Sequence, residues 1–135
     1  MGDEALGVIT MNHYSAAATP PANQGLVKAY QAEFGLDQEP SYTAVDSYDG
    51  MAAIFHVIVA QQGTIDPDRT VALRKCWKDA DSPHGLFMID PYTRDVVQNE
   101  YVRRVEKVNG RLQNVAFNTV PMVKDPWKEL YPPKP

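Results

Sequence analysis

The chain has 135 residues, 44% of them hydrophobic and 22% charged, which is the make-up of one ordinary globular domain or part of one rather than of a disordered segment. Thirteen basic against seventeen acidic side chains give a net charge of −4, with no basic cluster, so nucleic acid is not an expected partner. Cys76 is the only cysteine, which excludes an internal disulfide and a cysteine-based metal site and leaves it the role of a small hydrophobe packed on a helix.

The first ten residues, MGDEALGVIT, lack a charged-then-apolar leader, which by itself points to the cytoplasm, although the chain starts almost inside a strand, as an excised piece would. Leu6 to Met11 is rich in β-branched residues and reads as a buried strand. It runs into Asn12, His13, Tyr14 and Ser15 and then a small-residue and proline linker. Polar and aromatic groups where a buried strand passes into a loop are a frequent place for ligand contacts in α/β proteins, and a Tyr14 that simply caps the core is the plainer alternative.

Asn23 is a suitable N-cap for a helix whose stripe is Leu26, Val27, Tyr30 and Phe34, and Gly35 stops it. Pro40 and Ser41 open the central helix. Ala44, Tyr48, Met51, Phe55 and Ile58 fall on one stripe of it, and Ile54, Val57 and Ala60 cover much of the remainder, so it demands cover on more than one side. Gly50 within it predicts a close packing contact, and Gly63 ends it. Asp66-Pro67 starts a further helix through Val71, Leu73, Cys76 and Trp77 to about Asp79. A turn at SPHG leads into a strand, Gly85 to Ile89, which Asp90-Pro91 breaks. Asp95 to Val108 alternates, with Val97, Tyr101 and Val105 on one face; Asn109-Gly110 is a two-residue type I′ turn, and Leu112 to Thr119 returns as the partner strand. The proline-rich tail is expected to be extended and anchored by Trp127.

Chemistry is sparse. His13, His56 and His84 form neither an HExxH arrangement nor a helical i, i+4 metal pair, and no GxSxG, Walker or GxGxxG motif occurs. His56 reads as a hydrogen-bonded core histidine and His84 as structural. Of the acid pair Asp46 and Asp49, Asp46 is expected to face solvent and Asp49 to bond a nearby backbone group. No catalytic residue, metal ligand or cofactor site is expected, and an enzyme built on Asp46, Asp49 and His56 is the weakest of the readings.

Taken in order, TPPANQGLVKAYQAEFG, PSYTAVDSYDGMAAIFHVIVAQQG, IDPDRTVALRKCW and SPHGLFMIDPYTRDVVQNEYVRRVEKVNGRLQNV resemble the C-terminal portion of the type I periplasmic solute-binding proteins of ABC importers, in their branched-chain amino acid, amide and urea branch. The resemblance implies an α/β, partial type I periplasmic-binding-protein fold of three helices, short strands and a C-terminal β-hairpin. It implies a single incomplete domain over 1–135: a second-lobe strand and crossover in 1–22, first-lobe helices and strand in 23–90, and a second-lobe hairpin with extended tail in 91–135. It also implies capture of amino acids or small amides by lobe closure without covalent chemistry, a periplasmic location, and an ABC permease as partner of the full-length protein. By the same resemblance Tyr14, with Asn12, His13 and Ser15, lies at the ligand cleft. A sensing regulator or receptor domain of the same fold is the alternative. The apolar central helix further suggests that the isolated chain pairs with a second copy, by exchange of an element such as the hairpin.

Overall fold

A computed structural model describes residues 2–75 and 77–132. The expected packing of Cys76 on a helix lies outside the described residues. The architecture is mixed α/β: strands β1 (Ile9–Asn12), β2 (Lys78–Asp79), β3 (Phe87–Ile89), β4 (Val96–Val108) and β5 (Arg111–Val123) form one open sheet, and helices α1 (Pro21–Phe34), α2 (Tyr42–Ala60), α3 (Pro67–Arg74) and α4 (Pro126–Leu130) accompany it. No helix among the described residues is long and apolar enough to cross a membrane.

The sheet is organised by β4. Along one edge its first residues pair antiparallel with β3 (Met88 opposite Val97), and further on it pairs with β1 (Met11 opposite Val102); its other edge carries β5 throughout. Asn109 and Gly110, at φ 51° and 81°, make the tight turn between β4 and β5, because both positions need the left-handed region that Asn and Gly tolerate. Register shifts between Gln98 and Glu100 and between Val102 and Arg103 bend the ribbon.

Several local expectations need correction. Helix α1 begins at Pro21, with Pro20 as its N-cap; proline needs no N–H partner at the first helical position, so the helix starts earlier and Asn23 is a buried first-turn residue rather than the cap. Helix α3 keeps its Asp66 cap, whose carboxylate accepts the Arg69 N–H at 2.7 Å, but it stops at Arg74. Past it the Ile89 N–H donates to the Trp77 carbonyl at 2.9 Å, and Lys78–Asp79 becomes a strand instead of a last helical turn. The following strand starts at Phe87, not Gly85, because Gly85 sits at φ +98°. Four helices are present among the described residues, not three: the tail folds into α4, capped by Asp125, and Lys128 holds it to Asp95 at 2.6 Å while Trp127 stays 65% exposed.

Helix α2 is capped by Ser41, as its sequence predicts. Its buried face is Val45, Asp49, Ala53 and Val57, an i, i+4 row of small and medium side chains. The stripe through Tyr48, Met51, Phe55 and Ile58 faces outward, with Phe55 58% exposed and Val59 75% exposed. His56 is exposed too, lying flat against Trp77 at 6.2 Å, and is not a core histidine. A Cβ on Gly50 would meet nothing within 4 Å, so no close contact explains that glycine. Each large apolar side chain left uncovered forgoes ~1.5–3 kcal/mol of burial.

Two turns around the start of β4 are held by carboxylates. Asp90 accepts the backbone N–H groups of Tyr92 and Thr93 at 2.8 and 3.0 Å and faces Lys124, and these backbone bonds hold its carboxyl below the usual range; the Lys128 ammonium does the same for Asp95. A carboxyl whose folded value is depressed contributes stability above its ordinary titration range and loses that contribution as pH falls through the folded value. Stability is therefore expected to drop as the pH is lowered from about 5 to about 3, and Asp90→Asn, which keeps the turn but lacks the charge, should show a shallower drop in urea titrations. A slope unchanged by the substitution would contradict the assignment.

Candidate functional site

The loop that leaves β1 is fastened from three directions. Asn12 Oδ1 accepts the Tyr14 N–H at 3.1 Å, which closes a tight turn at the strand end. The Tyr14 side chain is buried, and its hydroxyl donates to Asn23 Oδ1 at 2.8 Å. Burial, and secondarily the charge of Glu39, push this phenol well above its ordinary range, so it stays a donor. The Asn23 amide in turn donates to the carbonyls of Ala16 and Ala18 at 3.1 and 2.7 Å. From the sheet, Arg103 donates to the Tyr14 carbonyl and to Thr10 Oγ1, and the Ser15 hydroxyl donates to the Asn114 carbonyl. Tyr14 and Ser15 are thus committed to holding the loop and Asn12 shapes it; these three border a cavity of about 390 Å³ with Glu39, Tyr42 and Arg103, while His13 borders a different one.

That cavity, of about 340 Å³, lies between α2, the end of α3 and the edge of the sheet. His13, Asp46, Asp49, Arg74, Trp77, His84 and Phe87 are among its lining residues. The volume falls in the range of small-molecule sites. His13 Nε2 meets Asp46 Oδ1 at 3.0 Å, and its ring stands edge-on to His84 at 5.4 Å and to Tyr42 at 6.0 Å. Trp77 and Phe87 meet edge to face at 5.0 Å, and Phe87 stacks on His84 at 5.1 Å. Arg74 places its guanidinium 4.5 Å from the Trp77 ring centre, and burial lowers the affinity of that group for its proton.

At the base of the cavity is a buried polar cluster. Ser82 donates its hydroxyl proton to Asp49 Oδ2 at 2.8 Å, and His84 Nδ1 approaches the same oxygen at 2.8 Å. The backbone carbonyl of His84 accepts the Tyr101 hydroxyl at 2.7 Å, which fixes the SPHG turn to β4; a Cβ on Gly85 would sit only 2.7 Å from that hydroxyl. Three buried atoms have no hydrogen-bond partner among the described residues: Asp49 Oδ1, His84 Nε2 and Arg74 Nη1. All three belong to residues lining this cavity. A buried polar atom left so costs ~1–3 kcal/mol, which is more than a cluster serving only to pack the fold needs to bear. No group of three or more His, Cys, Asp or Glu side chains among the described residues is placed to hold a metal ion.

The structure therefore joins His13 and Asp46, which the sequence separates by 33 positions, and adds Asp49, Arg74, Trp77 and His84. Asp49 accepts the Ser82 hydroxyl and lies 2.8 Å from the His84 ring, and does not bond the backbone group expected for it. Its signal was present in the sequence: a carboxylate in the row Val45, Ala53, Val57, on the face a helix buries, demands partners. For Arg74 and Trp77, at the frayed end of a polar helix, no comparable signal exists.

No family model matches the chain. It is 35% identical over 127 residues to the Leu/Ile/Val-binding protein homolog 6 of Brucella abortus (strain 2308), an alignment covering 93% of this chain and 32% of that protein. Among solved structures it is similar to a solute-binding protein of an ABC transporter from Rhodopseudomonas palustris BisB5, in complex with 3,4-dihydroxybenzoic acid, at 47% identity and TM-score 0.88, covering 95% of this chain and 34% of that one. A solute-binding protein from R. palustris HaA2 in complex with p-hydroxybenzoic acid follows at 36% identity and TM-score 0.81, covering 90% of this chain and 33% of that one. The leucine-, isoleucine-, valine-, threonine- and alanine-binding protein of Brucella ovis, at 20% identity, TM-score 0.69 and coverage of 93% and 34%, shows the shared fold alone. The chain thus spans about a third of the length of these relatives. Homologues and structural neighbours alike are substrate-binding proteins of ABC transporters, of the Leu/Ile/Val-binding, type I periplasmic family, and they are not enzymes.

If the Tyr14–Asn23 pair holds the loop, Asn23→Ala should cost ~1–3 kcal/mol in chemical denaturation, because it strands the Tyr14 hydroxyl and two carbonyls together. Tyr14→Phe should cost less. Equal and negligible costs would contradict the role given to the pair.

Proposed function

We propose that this chain, whose homologues and structural neighbours are ABC-transporter substrate-binding proteins, forms part of a solute receptor that presents aromatic carboxylic acids to an ABC permease. The cavity lined by Trp77, Phe87, His84 and Arg74 carries this reading, since ring faces beside a guanidinium suit a flat anionic solute better than an aliphatic amino acid or a small amide. The 47% identity to the R. palustris BisB5 protein in complex with 3,4-dihydroxybenzoic acid supports the same class.

Capture is by closure of lobes around the solute, without bond making or breaking. In this reading the loop Asn12–Ser15 frames the mouth of the site: His13 offers its ring, while Asn12, Tyr14 and Ser15 set the path of the crossover. Residues 1–22 and 91–135 belong to one lobe and 23–90 to the other. The periplasm is the compartment in which such a receptor meets its solute. The outward apolar stripe of α2 is covered by the remainder of the receptor, and the isolated chain pairs with a second copy through it.

The test is a thermal-shift and calorimetric panel on the gene product. At a hundredfold excess over Kd, 4-hydroxybenzoate or 3,4-dihydroxybenzoate should stabilise the fold by ~2.7 kcal/mol, with leucine and acetamide leaving it unchanged. Stabilisation by leucine or acetamide and not by the benzoates would overturn the substrate class.

A further inference from the structure

Strand β4 has two neighbours along one edge, and they do not meet. Pairing with β3 ends at Gln98 opposite Phe87, and pairing with β1 begins at Tyr101 opposite Asn12, so Asn99 and Glu100 have no strand beside them there. On the other edge the ladder is broken at the same level. Gln98 lies opposite Val123 and Glu100 opposite Val120, which leaves Asn99 facing both Pro121 and Met122. Pro121 has no N–H to give a ladder. Met122 sits at φ 48°, in the left-handed region, and its N–H donates to the Asn99 side-chain oxygen at 3.1 Å. The described sheet is thus two pieces joined at a waist two strands wide.

Past Met122 the chain does not stay with β1. It returns to the β3 side, where Lys124 meets Asp90 at 3.4 Å and Lys128 meets Asp95 at 2.6 Å, both carboxylates lying between β3 and β4. The hairpin therefore runs out across the waist and back again. Side-chain contacts that bridge the two pieces include Arg111 with Asp37 at 2.6 Å, Gln113 with Glu39 at 2.6 Å and His13 with Asp46 at 3.0 Å. Water replaces exposed polar contacts of this kind at little cost.

We infer that this waist is the hinge of the receptor, with the β4–β5 ribbon straddling both lobes and Asn99 positioning it through the Met122 N–H. The inference rests on the lobe-closure reading above and refines its division by chain order. The crossing falls at Asn99 rather than at residue 91, and residues 123–132 return to the lobe that carries β3. A bulge without a flanking strand bends with the ladders on either side intact, and releasing Met122 from Asn99 lets one residue take up the change of direction.

Spin labels on the full gene product test this, in a Cys76→Ser background so that only introduced cysteines react. Three exposed positions serve: Asp68→Cys with Lys107→Cys spans the waist, and Asp68→Cys with Tyr92→Cys stays on the β3 side. In the free protein the distance distribution of the spanning pair should be the broader. Asn99→Ala should broaden it further and leave the second pair unchanged, while Asn99→Asp, which keeps an acceptor, should preserve its width. Equal widths for the two pairs, or a spanning width indifferent to Asn99→Ala, would overturn the hinge. Titration with 4-hydroxybenzoate and with leucine separates the hinge from the substrate class. A spanning distance shifted by leucine alone keeps the hinge and ends the aromatic-acid reading; one that stays fixed while calorimetry shows either solute bound ends the hinge.

Discussion

A single buried carboxylate connects most of what is described here. Asp49 projects from the inward row of α2 and accepts the Ser82 hydroxyl, with the His84 ring 2.8 Å away and itself bonded to Ser82 Oγ, and the SPHG turn that carries both is tied to β4 through the Tyr101 hydroxyl. Helix and sheet meet through these polar bonds as much as through apolar packing. A hydrogen bond to a charged acceptor in such surroundings contributes ~1.5–3 kcal/mol, and removing one partner costs more because the other remains buried. The same bonds fix the orientation of the residues at the base of the cavity.

The second constraint is what the chain leaves uncovered. The inward row of α2 is made of Val45, Asp49, Ala53 and Val57, while Tyr48, Met51, Phe55 and Val59 look outward. Relatives are about three times as long as this chain. The outer stripe and the buried cluster therefore lie on different faces of α2, the stripe exposed and the cluster at the base of the cavity. Strand β4 links the cluster to the loop after β1, because Arg103 on it grips the Tyr14 carbonyl while Tyr101, two residues away, grips the His84 carbonyl.

Much of this was legible in the sequence, for reasons that differ by element. Asn109-Gly110 specifies its turn chemically, so the β4–β5 hairpin could be read from two residues and the alternation around them. Ser41 and Asp66-Pro67 likewise mark helix starts through backbone chemistry that no distant contact overrides. The orientation of α2 was not legible, because a helix apolar nearly all round carries no periodic signal of which face is inward; its one inward carboxylate was the usable clue. Asn23 was misplaced as a cap because the same amide that suits a cap also suits a buried anchor, and the tertiary partner Tyr14 decided between them. Arg74 and Trp77 joined the site through a helix end that the pairing of Lys78–Asp79 with β3 cut short, a long-range effect that local pattern does not encode.

The most direct measurement is the nitrogen-15 chemical shifts of the His84 imidazole in labelled protein at neutral pH. The account predicts a proton on Nδ1, which lies 3.0 Å from Ser82 Oγ and 2.8 Å from Asp49. A bare Nδ1 would contradict it, because the ring would then add no bond to the carboxylate cluster.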